Sequence, residues 1–219
     1  MFNQEKFNKF LIENNVVGFK EEDIVLKSGR VSRWYANCRR LTDDAKITNQ
    51  LVDFVIDFIE GKDFDYVYGV PAGVTKLGVA INLKLDGKLV IGREKPKEHG
   101  DAKDKYFIGP IEKGDKVIVI EDVTTTGGSL IDSLEKLKEV GVEIVCAVGL
   151  VNRVEKREDG LTVKQKLNEI GIDYFSMGNA FDLLPLEFLR NKPSEETKKH
   201  VEDYFRKYSI KEVELWKTK

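Results

Sequence analysis

The sequence predicts an α/β protein with a central, mostly parallel sheet covered by helices on both faces. Two observations carry that expectation. Short apolar runs rich in Val and Ile recur at residues 65–70, 88–92, 116–120 and 143–151, and stretches with helical spacing separate several of them. A strand that is apolar on both faces needs cover on both, and a helix between consecutive strands supplies it. A chain of 219 residues is long enough to bury a sizeable core.

Taken in order, residues 1–40 are expected to form an N-terminal hood. It opens with an amphipathic helix carrying Phe7, Phe10 and Leu11, then continues into the Gly- and aromatic-bearing segment Leu26-Lys27-Ser28-Gly29-Arg30-Val31-Ser32-Arg33-Trp34-Tyr35. Residues 42–180 read as the core. A helix over 42–60 has Thr42 as its expected N-cap, with Asp43 and Asp44 in the first turn where the helix dipole favours carboxylates. Residues 65–70 are a buried strand and 72–85 a helix. Residues 88–92 are a second strand, leading into a polar stretch, 93–105, that Pro96 and Gly100 keep from being one continuous helix. Residues 116–120 are a third strand, followed by a helix over 129–140 with Leu130, Leu134 and Leu137 inward. A fourth strand spans 143–151 and a fifth lies near Asp173-Tyr174-Phe175. Residues 181–219 form a helical extension. Its helix beginning at Pro193-Ser194-Glu195-Glu196 places Val201, Tyr204, Phe205 and Tyr208 on one face, to cover the core or extend a subunit contact. No stretch reads as a linker, so one domain is expected.

Composition removes several function classes. Lys and Arg total 36 against 38 Asp and Glu, a net charge of −2, so no broadly basic surface for nucleic acid is expected. No apolar run approaches the roughly 18 residues of a membrane span, and the first residues lack the pattern of a secretory signal. Two cysteines, Cys38 and Cys146, fit a reducing compartment; a cytoplasmic protein is expected. With only His99 and His200 besides these, no zinc-type cluster can be assembled. His200, among Lys198, Lys199 and Glu202, reads as a solvated surface residue.

The chemistry concentrates in Val117-Ile118-Val119-Ile120-Glu121-Asp122-Val123-Thr124-Thr125-Thr126-Gly127-Gly128-Ser129-Leu130. Ligands bind at strand carboxyl ends in open α/β sheets, and a helix N-terminus with small side chains is a ready phosphate cradle. Gly127 and Gly128 let the backbone approach closely, while Thr125, Thr126 and Ser129 add hydroxyl donors. Two carboxylates would repel a phosphate, so Glu121 and Asp122 must face donors such as sugar hydroxyls. A plain βα turn whose Thr and Ser only cap the helix would share the Gly-Gly-Ser but not the carboxylate pair. The run resembles the phosphoribosyl-pyrophosphate (PRPP) loop of type I phosphoribosyltransferases. That resemblance implies the type I fold, with Glu121 and Asp122 on the ribose hydroxyls. It also implies that the backbone and hydroxyls of Thr124, Thr125, Thr126, Gly127, Gly128 and Ser129 hold the 5′-phosphate, with Val123 among the PRPP-binding residues.

A second segment, Ile91-Gly92-Arg93-Glu94-Lys95-Pro96-Lys97-Glu98-His99-Gly100-Asp101, gathers cations on a loop. A solvated charged hairpin is the plain alternative, because Glu94, Glu98, Asp101 and Asp104 nearly balance them. The spacing of Arg93, Lys97, His99 and Gly100 resembles the catalytic loop of orotate phosphoribosyltransferases. Glu94 stands where that family usually has Lys, and Lys95 is displaced by one position. The segment from Lys27 to Tyr35 is similar to the family's N-terminal stretch, implying Lys27 near the reacting groups and Tyr35 against the pyrimidine, with Trp34 beside it. Asn152-Arg153 is similar to its substrate-binding arginine. Thr125 and Arg153 then join Lys27 and Tyr35 around orotate, and Ala72 and Gly73 fall in the pyrophosphate-contacting loop, with Lys76 three residues beyond Gly73.

The resemblance thus implies a catalytic set of Lys27, Arg93, Lys95, Lys97, His99 and Asp122. The implied reaction transfers the phosphoribosyl group from PRPP to orotate, with Mg²⁺ carried by PRPP and no direct protein ligand. It also implies a homodimer with loop-shared sites. A transferase for a purine or uracil, or a non-catalytic PRPP-sensing regulator of the same fold, are the alternatives.

Overall fold

The computed structural model describes residues 1–93, 95–210 and 216. Its elements run α1 (Gln4–Glu13), β1 (Val17–Val25), β2 (Val31–Ala36), α2 (Ala45–Ile59), β3 (Tyr66–Gly69) and α3 (Thr75–Lys84). Then come β4 (Ile91–Gly92), α4 (Ala102–Tyr106), β5 (Phe107–Ile108), β6 (Lys116–Thr124) and α5 (Gly128–Val140). The chain ends with β7 (Glu143–Asn152), α6 (Val163–Glu169), β8 (Tyr174–Asn179), α7 (Ala180–Arg190) and α8 (Glu195–Tyr208). Among the described residues no helix is long and apolar enough to cross a membrane.

Four strands form the central sheet in the order β3-β6-β7-β8, all paired in parallel. Because successive side chains of a strand point to opposite faces, each of these strands feeds two cores. Ile118 and Ile120 of β6, with Val67 of β3, pack on the face covered by α1, α2, α7 and α8. Val117 and Val119, with Tyr66 and Tyr68, pack on the other face with Leu130, Leu134 and Leu137 of α5 and Leu167 of α6. The Val/Ile runs are therefore buried on both sides, as their composition requires.

The flanks depart from expectation in instructive ways. Segment 17–36 is an antiparallel hairpin, β1 with β2, interrupted by a bulge between Phe19 and Ile24. The middle of β1, Lys20 to Asp23, is polar and largely exposed, so no apolar alternation announces it. Thr42 does not cap the second helix. It closes a 3-10 turn, Cys38–Thr42, and donates its hydroxyl to the Arg39 carbonyl at 2.9 Å. Asp44 is the cap, because its carboxylate accepts from the N–H groups of Lys46 and Ile47 at 2.8 and 2.9 Å. The second expected strand shrinks to the two residues of β4, paired with β5. His200 is half-buried rather than solvated, its Nε2 3.6 Å from Asp23 Oδ1.

Trp34 also differs from the expected pairing with Tyr35. Adjacent residues of β2 face opposite ways, so Tyr35 points to a cavity while Trp34 is fully buried and stacks on Phe205 of α8, ring centroids 5.8 Å apart. Val201, Tyr204 and Phe205 are likewise buried, so α8 covers the core.

Candidate active site

At the carboxyl edge of the sheet a cavity of about 760 Å³ opens, where open α/β sheets hold their ligands. Its walls come from four places. The hairpin supplies Lys27 and Tyr35, the loop after β3 supplies Pro71, Ala72 and Gly73, and β6 with the start of α5 supplies Glu121, Asp122, Val123 and Thr125 through Ser129. Arg153, just beyond β7, closes the far wall.

Among the described helices, all but α3 and α5 have a side chain capping the N-terminal N–H groups. Both exceptions start beside residues that line this cavity. At α5 the cap position is Gly127, with φ 74°, a left-handed conformation glycine adopts without penalty. Unpaired N–H groups and the positive end of the helix dipole then face the cavity at two points, which suits two anionic groups. Lys27 adds a cation there, its Nζ donating to Ser129 Oγ at 2.7 Å.

The two carboxylates at the end of β6 are not equivalent. Burial, reinforced by the neighbouring Asp122, pushes the Glu121 carboxyl up to about 9, so it is protonated at neutral pH. Asp122 is held differently. Its Oδ1 accepts from the Val123 N–H at 2.8 Å and its Oδ2 meets Arg39 Nε at 3.3 Å. Gly73 makes room for it, since a Cβ there would lie 2.7–2.8 Å from the Asp122 carboxylate. A pH-dependent stability follows. Between about 4.5, where the unfolded chain releases this proton, and about 9, where the folded chain does, the folded state holds the extra proton. Stability then falls as pH rises through that window. Glu121→Gln should remove this contribution to the slope, so its melting temperature should gain on that of the wild type as pH rises from 5 to 8. Parallel slopes of melting temperature between pH 5 and 9 would sink the assignment.

Residues 45–183 match the family model described as a phosphoribosyl transferase domain. The chain belongs to the phosphoribosyltransferase family. Among its relatives is the orotate phosphoribosyltransferase of Thermococcus gammatolerans, 34% identical over 142 residues that make up 64% of this chain and 74% of that one. The corresponding Pyrococcus furiosus protein is 31% identical over 160 residues, 72% of this chain and 86% of its own. A solved structure of Leishmania donovani UMP synthase superposes with a TM-score of 0.74 at 26% identity. It covers 92% of this chain, which spans only 42% of that longer protein. The parallel sheet with its flanking helices is thus the type I phosphoribosyltransferase fold.

Within this phosphoribosyltransferase, most of the residues singled out from sequence converge. Lys27, Tyr35, Ala72, Gly73, Glu121, Asp122, Val123, Thr125, Thr126, Gly127, Gly128, Ser129 and Arg153 all line the one cavity. Thr124 does not. It is fully buried, its hydroxyl 2.5 Å from that of Tyr174 and its carbonyl accepting from the Arg153 N–H, because it is still part of the strand ladder. Lys76 is directed elsewhere, pairing with Asp43 at 2.9 Å.

The cation loop is only partly brought in. Arg93 lines a smaller adjoining cavity of about 240 Å³, together with Lys27, Ala72 and Ser129, and its Nε donates to the carbonyls of Asp104 and Phe107. Lys95, Lys97 and His99 are exposed and line neither cavity. Glu94 lies outside the described residues. Sequence reasoning missed Asn37 and Arg39, which line the main cavity. The pair Arg39-Arg40 after a short polar turn carries no motif, and only the fold brings Arg39 to Asp122.

Proposed function

We propose that this phosphoribosyltransferase moves the 5-phosphoribosyl group of PRPP onto orotate, giving orotidine 5′-monophosphate and pyrophosphate in pyrimidine biosynthesis. The observation that carries the reading is a pairing across one cavity. A helix start without a side-chain cap lies on one wall and a buried arginine on another. The first suits a phosphate, and the second suits a planar ring that bears its own carboxylate. The relatives named above are orotate phosphoribosyltransferases, which agrees with that choice of ring.

In the displacement the bond between C1′ and a pyrophosphate oxygen breaks, the oxygen keeps the electron pair, and the deprotonated ring nitrogen of orotate bonds to C1′. Positive charge builds on the ribose and negative charge on the leaving oxygens. Asp122 accepts from the ribose hydroxyls and stabilises the ring charge, while protonated Glu121 adds a partner without a second negative charge. The N–H groups of Gly127, Gly128 and Ser129, with the hydroxyls of Thr125 and Thr126, hold the 5′-phosphate. Ala72 and Gly73 border pyrophosphate at the start of α3. Tyr35 lies against the pyrimidine, which Lys27, Thr125 and Arg153 orient. Arg93, Lys95, Lys97 and His99 close over the leaving group, and Lys97 or His99 gives it a proton.

Mg²⁺ would come bound to PRPP through ligand oxygens and water, with no direct protein ligand, beside the carboxylate of Asp122. Carried in that way, the ion would offset charge on the leaving group. The reading includes a cytoplasmic homodimer in which each loop serves the neighbouring site, and the exposure of Lys95, Lys97 and His99 outside both cavities agrees with a loop that reaches outward. We take the whole chain as one domain, hood and helical extension included. The test is the ultraviolet change on mixing protein, PRPP and Mg²⁺ with orotate, then with hypoxanthine or uracil. Turnover is expected with orotate alone. Turnover with another base, or PRPP binding without turnover, would overturn the reading.

A further inference from the structure

Behind the cavity wall at Arg153, side chains from three distant parts of the chain meet. Arg153 is 2% exposed. Its Nε donates to Glu155 Oε1 at 2.7 Å, its Nη2 to Ser32 Oγ at 3.2 Å and its Nη1 to the Trp34 carbonyl at 3.4 Å. The guanidinium lies over the Trp34 ring, 3.6 Å from the centroid. Glu155 has a fully buried carboxylate. Its Oε1 also accepts from the Tyr204 hydroxyl of α8 at 2.7 Å, and its Oε2 pairs with Arg30 Nη1 at 2.6 Å. Further bonds stitch the end of α8 to this segment. The Lys156 N–H donates to the Tyr208 carbonyl at 2.7 Å, and Ser209 Oγ to the Val154 carbonyl at 3.2 Å. Val154, between the two charged residues, has φ 59°, a left-handed conformation rare for a β-branched side chain and one that its surroundings must hold in place.

This arrangement does two things. An arginine held on three sides has already lost the rotamer freedom that a mobile one loses when ligand arrives. At least three of its five N–H groups are engaged within the protein, and the guanidinium still borders the cavity. The charges also do not cancel, because two guanidinium groups face one carboxylate. The remaining positive charge sits at the cavity wall, where an anionic ring completes the balance.

We propose that Glu155 and Tyr204 are positioning residues that aim Arg153 at the carboxylate-bearing edge of the base, making α8 part of the base-selecting apparatus. This rests on the reading of Arg153 as an orotate contact. Tyr204→Phe tests it, because the ring keeps its packing on Phe205 and Tyr208 and only the hydroxyl is lost. The KM for orotate should rise about tenfold, the effect of one hydrogen bond to a charged group. The KM for PRPP should stay at the wild-type value, while the melting temperature falls by roughly 5 °C because a hydrogen bond to a buried carboxylate is lost. Glu155→Gln should raise the KM for orotate further. A wild-type KM for orotate in Tyr204→Phe, or an equal rise in the KM values for orotate and PRPP, overturns the proposal. The wild-type control separates the two readings: if it does not turn over orotate, the functional reading fails first and takes this one with it.

Discussion

Lys97→Ala is expected to lower kcat by about 10²- to 10³-fold while changing PRPP affinity less than about threefold. The split follows from where the loop sits. Lys97 is exposed and lines neither cavity, so it adds little to the resting complex. Its charge matters only when negative charge gathers on the departing pyrophosphate and the loop closes to exclude water. An interaction made only in the transition state lowers kcat and kcat/KM together. Rapid-quench turnover and equilibrium PRPP binding on the same preparation give both numbers, and equal losses would refute a transition-state role. If loops are shared between subunits, mixing Lys97→Ala with an Asp122→Ala protein should restore part of the activity, since some mixed dimers pair an intact loop with an intact cavity. No recovery between subunits shown to exchange would refute sharing.

Asp122→Asn should lower kcat/KM for PRPP by about two orders of magnitude, whereas Glu121→Gln should lower it by less than about tenfold. The usual expectation for a carboxylate pair is similar losses from either change. Here burial keeps Glu121 protonated, and an amide resembles a protonated carboxyl in shape and neutrality. Asp122 accepts from the Val123 N–H and lies against Gly73. Its loss removes charge-assisted bonds worth about 1.5–3 kcal/mol each and the negative charge that favours a cationic ribose. Steady-state kinetics of the two single variants at pH 7.5 decide it. A larger loss in Glu121→Gln would show the proton to be assigned to the wrong residue.

How much of this could be read from the chain depends on how local each feature is. The strands of the sheet were visible because two-sided burial leaves unbroken Val/Ile runs. The phosphate cradle was visible because strand, carboxylates, glycines and hydroxyls are consecutive residues. The hairpin over 17–36 was not, since the exposed Lys20 to Asp23 break its alternation and its bulge breaks the register. Helix α6 was missed although its capping box, Thr162 with Gln165, is a readable signal. Thr124 looked like part of a run of three equivalent threonines, but the strand ladder continues through it and turns its side chain inward. Trp34 and Tyr35 looked like one aromatic pair, and the alternation of a strand separates them. The partnership of Arg153 with Tyr204 was out of reach, because it depends on where α8 docks.

That contrast in locality has a consequence for how the protein can change. The ribose and 5′-phosphate contacts proposed above lie in one uninterrupted stretch, residues 121–129. The ring end is collected from afar, with Arg153 meeting Trp34 across 119 positions and Arg30 meeting Glu155 across 125. Substitutions in the C-terminal helix or the hairpin can therefore retune ring preference while the handling of the shared sugar donor is inherited intact. Such a division lets one ancestral scaffold diversify toward different nucleobases without relearning its common co-substrate.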